Sequence, residues 1–389
     1  MKILMVIRAV GSTYGGTSQC VLDLARALGN AGVEVDLATT HANGAQPLEV
    51  PIDTWVEESS YRIRYFRYWG WSDYQLSNRF GGWLFDRIRD YDLVHTHAIF
   101  APTNLPAYWA CWGAKIPYVV TPHGMLEPWA LAYKATKKRV YYHLLEKQAL
   151  NRASAIHVLT SAEARGVERL NLKSPAVAIP NGIDRQPFEE LPSPEMFYQA
   201  FPEIRDRPTI FFLGRIDPKK GLDLLAIALA KVRARFPEAH LVVAGPDNIG
   251  FLPTAREYFQ KSGCSDGVTF TGMLAGTLKY AALAAADIYV APSYSEGFSL
   301  SILEGMAAGL PCVITQNCNF PEARTAEAAC VVETDASAIA EGLLECLANP
   351  HGAKQMGDRA RQLIFDRYTW DRVARQMRAA YERIIDSPL

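Results

Sequence analysis

Residues 286–314 read ADIYVAPSYSEGFSLSILEGMAAGLPCVI, and the order of patterns within them decides the fold. Ala286 to Pro292 is a short apolar run of strand type. Ser293 to Gly297 is a polar loop, and Ser299 to Ala308 carries Leu300, Leu303 and Met306 at helical spacing. Cys312–Ile314 is apolar again, so strand, loop, helix and strand follow one another as in a parallel sheet. Glu296 falls just before the helix and Glu304 about two turns into it. The backbone N–H groups of Phe298, Ser299 and Leu300 lie at the positive end of that helix, where an anion is favoured. Two carboxylates beside anion donors suit a ligand with both phosphate and hydroxyls, such as a nucleotide sugar. A plainer reading stays open on these residues alone: an acidic first turn that caps its helix, with Glu304 in solvent.

The same alternation extends outward through both halves of the chain. Ile3–Ile7, a helix near Thr17–Asn30, Val33–Ala38, Leu93–His97, Tyr118–Thr121 and Ala155–Leu159 make one series. Ile210–Leu213, a helix over Leu222–Arg235, Leu241–Ala244, Val268–Phe270, Ile288–Val290 and Cys312–Ile314 make the second. The prediction is an α/β chain of two Rossmann-like, doubly wound domains, with ligands held beyond the carboxyl ends of the strands, in a cleft where the halves face. Pro187, Pro192, Pro194 and Pro202 mark a linker. The expected boundaries are 1–185 for the first domain, 186–367 for the second and 368–389 for a terminal helix. That helix carries Trp370, Val373, Met377, Tyr381 and Ile384 on one stripe.

Length and composition fit this plan. The 389 residues suffice for two cores, and 49% are hydrophobic, yet no apolar run reaches the roughly 18 residues of a membrane span. The start, MKILMVIRAVGSTYGG, reads as a first strand entering a glycine loop rather than a signal peptide. Seven scattered cysteines without a Cys-x-x-Cys argue for a reducing cytoplasm and against a zinc site. Forty basic and 41 acidic side chains give no general field that would attract nucleic acid.

Two loops follow first strands and precede helices. Gly15-Gly16 lets backbone N–H groups approach an anion, although a structural turn explains it as well, and the spacing is not a dinucleotide fingerprint. Gly214-Arg215-Ile216-Asp217-Pro218-Lys219-Lys220-Gly221 is stronger, since Arg215 and Lys220 can stabilise a diphosphate leaving group without a metal, with a solvated basic turn as the alternative. His123 ends the Tyr118–Thr121 strand, where α/β enzymes hold substrate. His95 and His97 share one strand face, but no third metal ligand accompanies them. Asp90-Tyr91-Asp92 stands at a strand's amino end and reads as a surface turn.

Aromatic and basic residues are dense between Tyr61 and Phe85, a loop-like stretch suited to sugar stacking or a membrane interface. A second stretch, Tyr133–Arg152, sets Lys134, Lys137, Lys138, Arg139, Lys147 and Arg152 beside Tyr141, Tyr142 and Leu144. It reads as an amphipathic surface helix, with contact to anionic lipid or a phosphate-bearing acceptor as the alternative.

Together these motifs resemble one family, the retaining glycosyltransferases of family 4, with the two-domain GT-B architecture. The resemblance rests on Gly15-Gly16, Val94-His95-Thr96-His97, Pro122-His123-Gly124, Ile179-Pro180-Asn181-Gly182-Ile183-Asp184, Gly214-Arg215 with Lys219-Lys220-Gly221, Phe270-Thr271-Gly272, and Glu296 with Glu304. It implies that Glu304 holds the ribose, that Arg215 and Lys220 hold the diphosphate, and that Gly15, Gly16 and the backbone of Phe298, Ser299 and Leu300 complete the cradle. Met273 would lie near the base, Glu296 would contact sugar hydroxyls, and His123 would stand beside the reacting sugar. It also implies front-face attack with retention, the leaving phosphate accepting the acceptor's proton, and a terminal helix crossing back to the first domain. One segment departs from the family pattern: Gln316-Asn317-Cys318-Asn319-Phe320-Pro321-Glu322 stands where glycines often precede Pro-Glu, so donor identity is not carried over.

The expectation is a cytoplasmic, metal-independent hexosyltransferase, peripheral to the inner membrane face, that takes a UDP-hexose such as UDP-glucose to a glycan or lipid-linked saccharide. Exopolysaccharide or envelope polysaccharide synthesis is the setting the resemblance implies. No cofactor is expected, the nucleotide sugar being substrate, and no nucleic acid partner. Two alternatives are a nucleotide-sugar epimerase of the same architecture and a non-catalytic nucleotide-sugar-binding partner.

Overall fold

A computed structural model describes residues 1–71, 74–126 and 139–386. The chain forms two units, Met1–Gly182 with Trp370–Leu389, and Ile183–Thr369. The division therefore falls at Gly182/Ile183, ahead of the expected 185/186. The reason is local: Ile183 is buried in the second unit's core, and its N–H donates to the Tyr368 carbonyl at 2.8 Å.

In the first unit, strands β1 (Lys2–Ala9), β2 (Glu34–Thr40), β3 (Trp55–Glu57) and β4 (Arg62–Phe66) are followed by a separate hairpin of β5 (Trp69–Trp71) and β6 (Tyr74–Leu76). Then come β7 (Leu93–His97), β8 (Tyr118–Thr121), β9 (Ala155–Val158) and β10 (Ala176–Ala178). They form one eight-stranded sheet in the order β10-β9-β8-β7-β1-β2-β4-β3, parallel throughout except that β3 runs against β4. The central strands are apolar on both faces, with Ile3, Leu4, Met5 and Val6 of β1 inaccessible to solvent, as a sheet covered by helices requires. The order turns at β1, whose neighbours are β2 and β7, so the chain diverges after β1 and β7.

The second unit has β11 (Thr209–Leu213), β12 (His240–Ala244), β13 (Val268–Gly272), β14 (Ile288–Ala291), β15 (Cys312–Thr315) and β16 (Cys330–Val332). All are parallel, in the order β13-β12-β11-β14-β15-β16. Its turning point lies between β11 and β14, paired Ile210 to Ile288 and Phe211 to Tyr289. Crevices at such points are where open α/β sheets take ligands. The helix Leu300–Ala307 lies tight on β14 because Gly305 meets the Tyr289 ring, which a β-carbon would approach to 2.6 Å.

The segment expected to be loop-like, Tyr61 to Phe85, is ordered structure: β4, the hairpin and a helix over Asn78–Arg87 capped by Ser77. Three of its aromatic residues go to packing, with Tyr61, Phe66 and Phe80 buried and the Phe66 and Phe80 rings stacked at 4.7 Å, while Trp69 and Phe85 are exposed. Arg62-Ile63-Arg64 is the two-residue alternation of a strand, masked in the sequence by the aromatic density around it. Of the second basic stretch, Lys134, Lys137 and Lys138 lie outside the described residues. The described remainder is a π-helical turn, Tyr142–Glu146, followed by a helix over Lys147–Arg152. Among the described residues no helix is long and apolar enough to cross a membrane.

The last helix, Trp370–Asp386, packs on the first unit against α1 (Gly16–Asn30). It buries Trp370, Val373, Met377 and Tyr381, and Arg378 donates to the Ala31 carbonyl at 2.8 Å.

Candidate active site

In the second unit the loops after β11 and β14 are neighbours because their strands are. The first contains the turn Pro218–Lys220, capped by the Asp217 carboxylate on the Lys219 N–H, and ends at Gly221 with φ 68°. A β-carbon on Gly221 would stand 2.0 Å from the Pro292 carbonyl oxygen, so only glycine allows the turn to lie against the second loop. Tyr294 ties the two together twice, its N–H donating to the Lys219 carbonyl at 2.9 Å and its hydroxyl to Asp223 at 2.6 Å.

This contact sets Lys220 Nζ 2.6 Å from Glu296 Oε1, which also accepts the Ser293 hydroxyl at 2.7 Å. Glu296 is 8% exposed. Burial pushes its carboxyl up, but the Lys220 ammonium and the Ser293 hydroxyl outweigh burial and hold it below the ordinary range. Burial likewise lowers the neighbouring Lys219 ammonium. The Glu296 backbone is held from the far side: its N–H donates to the Asn317 carbonyl at 2.9 Å, and the Asn319 amide donates to its carbonyl at 2.6 Å. Asn319 adopts φ 54°, a conformation that asparagine tolerates better than most residues. The segment that departs from the family pattern thus braces Glu296.

Glu304, on the helix Leu300–Ala307, accepts Lys279 Nζ at 2.7 Å. Burial disfavours the Lys279 ammonium, but Glu304 outweighs it and keeps the pKa above its ordinary value. That helix begins without a side-chain cap, the Ser299 hydroxyl being 3.0 Å from that of Ser301 instead. Its first N–H groups therefore have no side-chain acceptor of their own. Phe298 sends its ring between Phe320 and Tyr368, with centroids 5.6 and 5.7 Å away, so its backbone is what remains for a ligand. Arg215 is exposed and forms no ion pair among the described residues, and Met273, just after β13, is 64% exposed.

The first unit holds the other predicted residues. Gly15 precedes α1 at φ 71°, again with no side-chain cap, and a β-carbon on Gly15 or Gly16 would meet nothing within 4 Å. The cradle is open, and only the backbone angle at Gly15 demands glycine. His123, at φ 53°, places Nε2 3.2 Å from His97 Nδ1. Burial lowers His123 to about 3, with His157 adding to the shift.

His95 is not a free ligand. Its Nδ1 lies 2.6 Å from the Tyr381 hydroxyl, and its Nε2 lies 2.6 Å from the Thr121 hydroxyl. Thr121 lies 2.7 Å from His157 Nδ1, and His157 Nε2 lies 2.8 Å from the Ile179 carbonyl. A carbonyl only accepts, so His157 Nε2 carries the proton and each direction follows: Thr121 donates to His157, His95 Nε2 to Thr121, and Tyr381 to His95. The structure thus joins Lys220, Glu296, Lys279 and Glu304 around one turning point, while Gly15, Gly16 and His123 belong to the other unit. Lys279, Ser293, Asn319, Thr121, His157 and Tyr381 were not among the site residues read from the sequence. The one available signal was Lys279, a lone charge in the otherwise apolar helix Gly276–Ala285.

Two family models match the chain, one described as glycosyl transferases group 1 over residues 197–363 and one as a glycosyl transferase 4-like domain over residues 15–182. The chain belongs to the GT-B glycosyltransferases of the family 4 type. This glycosyltransferase is 28% identical to a phosphatidyl-myo-inositol mannosyltransferase of Mycolicibacterium smegmatis, over 99% of this chain and 94% of the relative. It is 29% identical to a GDP-mannose-dependent alpha-(1-6)-phosphatidylinositol monomannoside mannosyltransferase of Mycobacterium tuberculosis, over 51% of this chain and 54% of that protein. Among solved structures, a sucrose-phosphate synthase from Thermosynechococcus elongatus shares the fold with a TM-score of 0.77 at 23% identity, over 99% of both chains.

Proposed function

We propose that this glycosyltransferase is a retaining, metal-independent hexosyltransferase whose second unit binds the nucleoside diphosphate of a nucleotide-sugar donor. The observation that carries the reading is the set of two lysine–carboxylate pairs, Lys220–Glu296 and Lys279–Glu304, flanking a helix start that lacks a side-chain cap. In this reading Arg215 and Lys220 take the diphosphate, the backbone of Phe298, Ser299 and Leu300 adds N–H donors, and Glu304 takes the ribose hydroxyls beside Met273. Lys220 leaves Glu296 for phosphate, which frees the Glu296 carboxylate for sugar hydroxyls. Fixed cations and helix N–H groups stabilise charge as it builds on the leaving diphosphate, so the chemistry needs no metal. Gly15 and Gly16 add backbone donors, His123 lies beside the reacting sugar, and the leaving phosphate takes the proton of the acceptor hydroxyl.

The donor is a hexose nucleotide. A UDP-hexose fits the family resemblance, and GDP-mannose fits the GDP-mannose-dependent relative of Mycobacterium tuberculosis. The acceptor is a glycan or lipid-linked saccharide of the cell envelope, reached peripherally from the membrane surface. Calorimetric titration of the metal-free chain with UDP- and GDP-hexoses tests this, with nucleotide release followed in parallel. One donor binding selectively, with release accelerated by a saccharide acceptor and an anomeric configuration retained by NMR, is the expected result. No binding of any donor overturns it, and epimerised sugar nucleotide among the products would assign an epimerase instead.

A further inference from the structure

The amino-terminal ends of β1, β2 and β4 border a cavity of about 280 Å3, on the opposite edge of the first unit's sheet from the Gly15 loop and His123. That volume is close to the lower end of small-molecule sites, roughly 300 Å3. Four cations line it, Lys2, Arg62, Arg64 and Arg87, against two carboxylates, Asp36 and Asp90.

Three of the cations are already matched. Arg62 grips both oxygens of the buried Asp36 at 2.7 Å, and the Tyr91 hydroxyl donates to the same carboxylate at 2.8 Å. Lys2 reaches Glu34 at 2.6 Å, and Arg87 reaches Asp90 at 2.7 Å. Arg64 has no carboxylate among the described residues. Its guanidinium lies over the rings of Trp55, Phe66 and Trp83, 5.8, 5.3 and 5.5 Å from their centroids, and its Nε is buried without an acceptor. Aromatic faces hold a cation in place, yet they leave the buried Nε–H unmet, which is costly where water is excluded.

We propose that this cavity binds a small phosphate-type oxyanion, gripped by Arg64 with Arg87 at the rim. Guanidinium forks match phosphate oxygens, and Arg64, the one lining cation without a carboxylate partner, shares the cavity with the guanidinium of Arg87. The indoles of Trp55 and Trp83 give a sugar ring an apolar wall, so the ligand is inorganic phosphate or a hexose phosphate. The site is distinct from the one assigned to the donor nucleotide, since all of its residues belong to the first unit's opposite edge.

The test is calorimetric titration of the full chain, at low ionic strength, with inorganic phosphate and with glucose 6-phosphate. Wild type is compared with Arg64→Gln, Arg87→Gln and Lys220→Ala. Saturable binding is expected, unchanged in Lys220→Ala, weakened about tenfold or more in Arg64→Gln and several-fold in Arg87→Gln. Arg87 is exposed, so its variant keeps the test decisive if Arg64→Gln fails to fold. Tighter binding of glucose 6-phosphate supports a hexose phosphate ligand, and equal binding supports inorganic phosphate. Absence of saturable binding, binding indifferent to both arginine variants, or binding abolished by Lys220→Ala overturns the proposal.

Discussion

The Tyr381 hydroxyl donates to His95 Nδ1 at 2.6 Å, joining residues 286 positions apart and fastening the last helix to the first unit's central sheet. Both side chains are buried, so neither has water to replace the other. Tyr381→Phe keeps the ring and leaves His95 Nδ1 unpaired. The expected cost is about 1–3 kcal/mol, read as a lower midpoint in urea unfolding, with donor binding at the second unit unchanged.

Acid should weaken the first unit selectively. Burial, first of all, holds His95 and His97 well below their ordinary pKa, His157 at about 4 and His123 at about 3. The folded state keeps these rings neutral while the unfolded chain takes up protons below about pH 6.5. Their stabilisation is therefore complete above that pH and falls as pH drops toward the folded values, by up to about 1.4 kcal/mol per pH unit for each ring. Unfolding followed at pH 7.5, 6 and 5 should show the loss, and a flat profile would contradict it.

Glu146 acts in the opposite sense. Burial raises its carboxyl to about 8, even though the Phe100 N–H donates to it. The folded state holds it protonated while the unfolded chain ionises above about pH 4.5, so this contribution shrinks as pH rises toward 8. Glu146→Gln should remove that dependence, giving a gain in stability over wild type that is larger at pH 8 than at pH 5.

Two glycines with similar φ but different ψ, 31° at Gly221 and −145° at Gly15, should respond to alanine for different reasons. At Gly221 the new methyl would meet the Pro292 carbonyl, so Gly221→Ala should cost several kcal/mol, roughly the range of overpacking plus backbone strain. Nucleotide binding should fall with it. At Gly15 there is open space, but φ 71° with ψ −145° is a conformation left almost entirely to glycine, so Gly15→Ala should cost about 1–3 kcal/mol of backbone strain without a clash. Paired thermal melts check the contrast.

Within the proposed nucleotide site, Lys220→Ala, Arg215→Ala and Glu304→Ala should each weaken donor binding by about 1.5–3 kcal/mol, the worth of a charge-assisted contact. Donor affinities unchanged in all three would remove the site assignment.

Much of this architecture is legible in the sequence because buried parallel strands leave short apolar runs. Leu93–His97 and Tyr118–Thr121 have the bounds read from pattern alone. The strand carrying Arg62 and Arg64 was obscured, since aromatic residues surround an alternation that guanidinium stems and rings share. The site divides in the same way. Glu296 and Glu304 stand close in sequence on a recognisable turn and helix, whereas Lys279 reaches Glu304 from another helix, and Asn319 acts through a backbone angle. His157 and Tyr381 find His95 only through sheet order and a returning chain end, which no local window contains.

The docking of Trp370–Asp386 on α1 has a consequence for biosynthesis. The residues that begin the first unit leave the ribosome before the second unit, but the helix that completes the first unit emerges after the second. Until then a nascent chain carrying the first unit's sheet keeps a face of α1 uncovered and His95 without its phenol. Vectorial folding, in which domains finish in the order they are synthesised, is thereby inverted: the second unit can mature first, and the first one closes only after the whole of Ile183–Thr369 has been made.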